Sequence, residues 1–363
     1  SDVPFGAFLS GGLDSSSIVS QMSKFSNEPI ETFTIGFKNK NFDESELANL
    51  VSKKFKTSHH LGTVDPKSIE SAILYCKNHF DEPFGDSSSI PTNEVSKFAR
   101  SKVKMVLTGD GGDEVLSGYN AYLGFKISSL FLNLPPFMLK SFTKSLSSIS
   151  KFVRGNPRYK INQVENFINT SNMEFNQKLI NKFSFASLVS IKKLTSNIKN
   201  VLPIEDYFES LMNQCNYKDN FYKLMFLNFK HNLPDDYLVK VDRMSMSNSL
   251  ETRAPFLDYR LIEFMANVDK NIKIQGFERK SILKNTIGKK LPHEILNASK
   301  KGFSVPLREW FKDENFNNLL KLNNLNDVLD KKILNNIIDE NILGKNDGGN
   351  FLWTLIMLNS FMK

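Results

Sequence analysis

The residues best placed to do chemistry are Ser10-Gly11-Gly12-Leu13-Asp14-Ser15-Ser16, set between an apolar run, Phe5 to Leu9, and a helical pattern from Asp14 to Lys24. Glycines at such a turn let the backbone approach an anion unobstructed. The helix that follows aims its free N–H groups and the positive end of its dipole at the same point. The hydroxyls of Ser10, Ser15 and Ser16 can add hydrogen bonds to phosphate oxygens. No lysine follows the glycines and the spacing is not G-x-G-x-x-G, so the loop is neither a Walker A loop nor a dinucleotide fingerprint. A second Gly-rich acidic turn, Thr108-Gly109-Asp110-Gly111-Gly112-Asp113-Glu114, follows the apolar stretch 103–108. If both strands lie parallel in one sheet, both turns fall at its carboxyl edge, where ligands bind. Asp14 and Asp113 could then share one Mg²⁺, an ion that takes one or two carboxylates and completes its shell with phosphate and water oxygens.

Such turns need a sheet to carry them, and the first third of the chain supplies the pattern. The spacing predicts strands at 5–9, 31–37, 59–64 and 103–108. Helices are expected at 14–24, from an Asp43/Glu46 capping box to about 55, at 66–79 and at 93–101. Strands alternating with helices predict a parallel sheet covered on both faces. From 127 to 217 the chain is rich in Ser, Asn, Phe and Lys and helical in pattern. From 218 it reads as helices (220–231, 235–249, 258–267, 279–288, 306–322, 329–341 and 349–361) with little strand signal. The expected organisation is an α/β nucleotide core over 1–126, a variable helical insertion over 127–217, and a mainly helical part over 218–363 that completes the site.

The composition sets bounds. With 40% hydrophobic and 24% charged residues, the 363-residue chain has the balance of a globular protein. No apolar run approaches the ~20 residues of a membrane span, and SDVPFGAFLSGG is not built like a secretory leader. The cytoplasm is the expected compartment. The net charge is +8, but the Lys-Lys pairs are scattered, so nucleic acid is not an expected partner. Cys76 and Cys215 lack partners at metal spacing and read as small apolar residues. His59 and His60 read as strand-end packing, and Trp310 and Trp353 as anchors of the helical half.

Two further stretches complete a pattern: Val239-Lys240-Val241-Asp242-Arg243-Met244-Ser245-Met246, running into Leu250-Glu251-Thr252-Arg253-Ala254-Pro255-Phe256-Leu257-Asp258, and Lys300-Lys301-Gly302-Phe303-Ser304-Val305-Pro306-Leu307. With the Ser10–Ser16 loop, the DEPFGDSSSIPT stretch (81–92) and the 108–114 turn, in this order, the chain resembles the synthetase domain of the glutamine-dependent asparagine synthetases. That resemblance implies an α/β fold of the adenine-nucleotide alpha hydrolase type with a pyrophosphate loop. It also implies ATP and Mg²⁺ as cofactors, and a carboxylate activated as its adenylate and then attacked by ammonia. It places Leu9, Ile35, Thr108 and Gly109 around the adenosine, and Ser10, Gly11, Gly12, Leu13, Asp14, Ser15 and Ser16 on the pyrophosphate. Asp14 and Asp113 fall on magnesium and Lys300 on the α-phosphate, while Asp110 or Glu251 relieves the incoming ammonium of a proton. Arg253 would orient Glu251 or the acidic loop. Asp86, Ser87 and Ser88 are the candidates for acceptor recognition. L-aspartate is the expected acceptor, with another acid such as a surface-polysaccharide sugar acid as the alternative. A tRNA-modifying adenylating enzyme shares the loop but leaves the other motifs without a role. The family's N-terminal glutaminase domain is not in this sequence, so a fragment is expected, with that domain upstream in cis or supplied in trans. A homodimer is left open.

Overall fold

Alternation of apolar side chains along short β-prone runs places successive residues on opposite faces of one sheet. Phe33 and Ile35 of one strand bury on one face, and Ala7 and Leu9 of its neighbour on the other. The structure, a computed structural model, describes residues 2–64, 69–131, 174–196, 198, 203–298, 305–311, 314–342 and 348–362. Its strands are β1 (Phe5–Phe8), β2 (Glu31–Gly36), β3 (Ser58–Thr63), β4 (Met105–Leu107) and β5 (Glu251–Arg253). They pair in the order β3-β2-β1-β4-β5, and every neighbouring pair is parallel. The expected α/β fold is therefore present.

The crossovers are α1 (Leu13–Phe25), α2 (Ser45–Phe55), α3 (Ile69–His79) and α4 (Ser89–Arg100). Asp43 does start α2, but from two residues ahead: its Oδ1 accepts the Ser45 N–H at 3.1 Å and Glu44 occupies the cap position. The helix α4 begins at Ser89 rather than at 93, because Asp86 turns the chain by accepting the backbone N–H and the hydroxyl of Ser88 (2.9 and 2.7 Å). Two further helices, α5 (Gly112–Leu116) and α6 (Asn120–Phe131), follow the acidic turn.

The fifth strand was not expected. Glu251-Thr252-Arg253 offers no apolar alternation, and it is recruited as an edge by the open side of β4, with Met105 opposite Glu251 and Leu107 opposite Arg253. The helical expectation also changes between 220 and 249. Separate helices were expected at 220–231 and 235–249, yet the helix Asn220–Leu227 continues through a π-helical stretch, Asn228–Leu238, which contains Pro234, into the helix Val239–Met246. A proline inside an α-helix clashes with the carbonyl four residues back and removes one donor. Widening to i→i+5 bonding accommodates it without ending the helix.

Two apolar clusters sandwich the sheet. One joins β2, α3 and α4 to the helix Gly349–Phe361, where Trp353 is fully buried and donates its indole N–H to the Phe84 carbonyl at 3.2 Å. Trp310 is buried in the same cluster, so both tryptophans anchor the helical half as expected. The other cluster packs α1 and α2 against Phe256, Met265 and Leu283. A third gathers Tyr122, Leu179, Phe208, Phe221 and Leu224 away from the sheet. It spans both sides of the expected boundary at 217, so the described part of the insertion packs directly on the segment that follows. Among the described residues no helix is long and apolar enough to cross a membrane.

Candidate active site

In the strand order β3-β2-β1-β4-β5 the chain switches direction beside β1, and the crevice between the carboxyl ends of β1 and β4 is where such sheets hold ligands. Both Gly-rich turns open there, on a cavity of about 820 Å³. The first turn is built by its own serines. Ser10 and Ser15 hydroxyls lie 3.1 Å apart, the Gly12 N–H donates to Ser10 Oγ at 3.2 Å, and Ser16 N–H donates to the Gly12 carbonyl at 3.0 Å. Gly11 sits at φ +77°, and a Cβ there would lie 2.6 Å from Leu47 Cβ and 2.7 Å from the Ala48 nitrogen, so α2 packs against the loop too closely for a side chain. Gly111 plays the same part in the second turn, at φ +82°: an added Cβ would fall 2.1 Å from Leu257 Cδ2. The Pro255–Leu257 segment thus buttresses the acidic loop from behind rather than entering the cavity.

Asp14 and Asp113 are brought together. Both carboxylates meet the ammonium of Lys280, Asp113 Oδ1 at 2.7 Å, with Asp14 also in hydrogen-bonding contact. Burial alone would lower the Lys280 pKa, but the two carboxylates outweigh it and hold the lysine above its ordinary value. Lys280 adopts a left-handed conformation, φ +54°, which is uncommon for a residue with a side chain. No sequence signal singled it out among 47 lysines and arginines. Two carboxylates converging on one cationic centre fit Mg²⁺. Such an ion takes one or two carboxylates and draws its remaining ligands from phosphate and water.

Of the other expected residues, Leu9, Ser10, Gly11, Gly12, Leu13, Ser15, Ile35, Thr108, Gly109 and Asp110 line the cavity with Asp14 and Asp113. Ser16 is fully buried in α1 and does not reach the cavity wall. Asp86, Ser87 and Ser88 line it, but Asp86 is already engaged. Its Oδ2 accepts from Ser88 Oγ and from Lys240 Nζ at 2.8 Å. Burial would raise the Asp86 pKa, and the Lys240 charge with these hydrogen bonds reverses that and lowers it. Glu251 is not brought to the site. It opens β5 at the sheet's amino edge, with about half its side chain exposed and an ion pair to Arg253 at 2.7 Å. A carboxylate there cannot face a reaction at the carboxyl edge. Lys300 lies outside the described residues.

The wall facing the two Gly-rich loops comes in part from residues that the sequence did not mark, Asp236, Tyr237 and Tyr119. The π-helical stretch and its continuation present Asp236, Tyr237 and Lys240 to the cavity beside Asp110, Glu114 and Tyr119. Tyr119 donates its hydroxyl hydrogen to Glu114. Burial, then the neighbouring Asp86 charge, raises the Asp236 carboxyl to about 7. Asp110 is raised as well, first by burial, with the Thr108 hydroxyl and Lys240 opposing and Asp113 adding to it. The Val239–Met246 motif is also the clamp on the DEPF loop, since Lys240 holds Asp86 and Arg243 pairs with Asp81.

The site's relatives are consistent with this geometry. The family model described as asparagine synthase matches residues 1–363. Asparagine synthetase [glutamine-hydrolyzing] 1 of Bacillus subtilis is 27% identical over 314 residues, covering 86% of this chain and 48% of that protein. A putative asparagine synthetase [glutamine-hydrolyzing] 2 of Methanocaldococcus jannaschii is 45% identical over 139 residues, 38% of this chain and 27% of its own. Amidase chyE of Penicillium rubens is 25% identical over 345 residues, covering 85% of this chain and 50% of that protein. The chain spans about half the length of most of these relatives. With the family model covering every residue and both Gly-rich loops assembled at one sheet edge, the chain belongs to the asparagine synthase family.

Proposed function

We propose that the chain catalyses ATP-dependent conversion of a carboxylate to its amide, releasing pyrophosphate and AMP. The observation that carries this reading is the convergence of Asp14 and Asp113, from the loops after adjacent parallel strands, on one cationic centre inside a nucleotide-sized cavity. Mg²⁺ held by Asp14 and Asp113 would screen the charge of the departing pyrophosphate.

The chain's own groups account for the rest. Backbone N–H groups of the Ser10–Ser15 loop and the amino end of α1 receive the β- and γ-phosphates, and Leu9, Ile35, Thr108 and Gly109 shape the adenosine pocket. The Lys280 ammonium would turn from the carboxylate pair to hydrogen-bond the phosphate oxygens. Lys300 is assigned to the α-phosphate, where charge grows as the acceptor oxygen attacks and the bond to pyrophosphate breaks. In the second step the ammonia nitrogen attacks the acyl carbon and the bond to AMP breaks. Asp110 would take a proton from the ammonium, a reading supported by its position on the cavity wall and its raised pKa; Glu251 lies on the other edge of the sheet. Ammonia reaches this chain free or from a glutaminase domain in cis or in trans.

L-aspartate is the acceptor suggested by the relatives' printed names, and another carboxylic acid is the second reading, favoured by the acidic wall opposite the nucleotide loops. The test is ATP–pyrophosphate exchange with Mg²⁺ and a panel of acids. Exchange that depends on an added acid supports the reading, and exchange with no acid, or none at all, contradicts it.

A further inference from the structure

The cavity is asymmetric in charge, and the asymmetry bears on the acceptor. Among the described residues, the cations on its wall are Lys240, Arg279, Lys280 and Lys284. Each has an acceptor: Lys240 holds Asp86, Arg279 donates to the Gly118 carbonyl, Lys280 bridges Asp14 and Asp113, and Lys284 pairs with Glu278. The acidic side is less complete. Asp236 Oδ1 is buried without a hydrogen-bond donor, though the carboxyl lies against Asp86, and a buried acceptor left unsatisfied is costly unless a ligand supplies the donor. The π-helical turn is what places it there, since the widened stretch Asn228–Leu238 brings Asp236 and Tyr237 to the cavity one turn before Lys240. Long π-helical stretches are rare and concentrate at functional sites.

Resting on the amide-synthesis reading above, we infer that the segment Asp236–Lys240, with Asp86, is the acceptor subsite, and that it takes a monocarboxylate whose far end carries N–H or O–H donors rather than a second carboxylate. The reacting carboxylate faces the α-phosphate, and the far end meets Asp236 Oδ1 and the Tyr237 hydroxyl. Among the described residues, a second carboxylate there would approach Asp86, Asp110, Glu114 and Asp236 with one cation on that wall, Lys240, whose charge Asp86 already balances. Like charges in such a confined site repel strongly. A hydroxyl or ammonium group instead gives the orphaned oxygen its hydrogen bond. The proton that Asp236 retains near neutrality limits the repulsion within the wall itself.

The test uses the full 363-residue chain in pyrophosphate exchange with Mg²⁺-ATP. D-glucuronate supplies hydroxyl donors and 4-aminobutyrate an ammonium; L-aspartate and succinate each bring a second carboxylate. At least one of the donor-bearing monocarboxylates should exceed both dicarboxylates by tenfold or more in kcat/KM, and the comparison of the two shows which donor the site uses. Asp236→Asn should raise the KM for that acid about tenfold and leave the KM for ATP within twofold, while Asp236→Glu recovers part of the loss. A purely structural role would move both KM values together, and Asp236→Ser gives a second reading should the asparagine variant fold poorly. Faster exchange with L-aspartate or succinate overturns the inference and leaves the reaction standing. Exchange with no acid overturns both.

Discussion

The two walls of the cavity are built on different principles. The loop wall, where the nucleotide is proposed to bind, is backbone: loops after β1 and β4, fixed by glycines in positive-φ conformations and by a helix start, with Asp14 and Asp113 as its charged points. The opposite wall is side chain: Asp86, Asp236, Tyr237 and Lys240, held by ion pairs and by a π-helical turn around Pro234. Backbone recognition suits a ligand part that never changes, such as phosphate. A side-chain wall can be altered residue by residue without disturbing the fold, which suits the proposed acceptor side.

That contrast predicts where substitutions hurt most. Lys300→Ala should lower turnover about 10²- to 10³-fold with little change in ATP affinity, the scale of losing one transition-state charge partner. Near-normal turnover would remove Lys300 from the nucleotide side. Lys280→Ala strips the shared cation from two partly buried carboxylates and should destabilise the chain by about 3 kcal/mol or more. Millimolar Mg²⁺ should restore part of the lost melting temperature if the ion occupies the same place. Loss that Mg²⁺ does not relieve would separate the metal site from this pair. Gly11→Ala should cost about 1–3 kcal/mol and weaken ATP binding, because its φ and the contact with Leu47 both oppose a side chain.

The acceptor wall should answer to pH instead. The Asp236 carboxyl moves from 3.8 in the unfolded chain to about 7 in the fold, so between those values the native state binds more protons than the unfolded one. Its contribution therefore lowers stability as pH rises through that window. Asp236→Asn should remove this dependence, making the variant more stable relative to the parent at pH 8 than at pH 5. Parallel pH–stability curves would show that the carboxyl is not strained by its neighbours. The smallest effect belongs to Glu251→Gln. An exposed ion pair contributes about 0–1 kcal/mol, so melting temperature and turnover should both stay near those of the parent. A large loss of turnover would bring the amino edge of β5 into the chemistry.

The same contrast explains what could be read from the residues. The loop wall was legible because its geometry is local: a glycine turn between a strand pattern and a helix pattern declares itself within a dozen residues, and Asp14 and Asp113 lie inside such turns. Lys280 was not, because a lone lysine acquires meaning only when folding carries it to carboxylates that are remote in the chain. The short strand β5 was hidden for a related reason. Glu251, Thr252 and Arg253 have little strand tendency of their own, and the open edge of β4 imposes it, which also moved Glu251 away from the role its neighbourhood in the sequence suggested. Separate helices were expected at 220–231 and 235–249; the gap between them holds Pro234, and there the helix widens instead of ending. Asp86 was expected on the acceptor side, and its engagement by Lys240 depends on a contact 154 residues apart.

The most direct test of the central claim is to follow oxygen from the acceptor. With ¹⁸O in the carboxylate of the acid that best sustains exchange, and with ATP, Mg²⁺ and ammonium, an acyl-adenylate requires one labelled oxygen in the AMP formed and none in the pyrophosphate. ADP with labelled orthophosphate would mean attack at the γ-phosphate through an acyl phosphate, and would contradict the account.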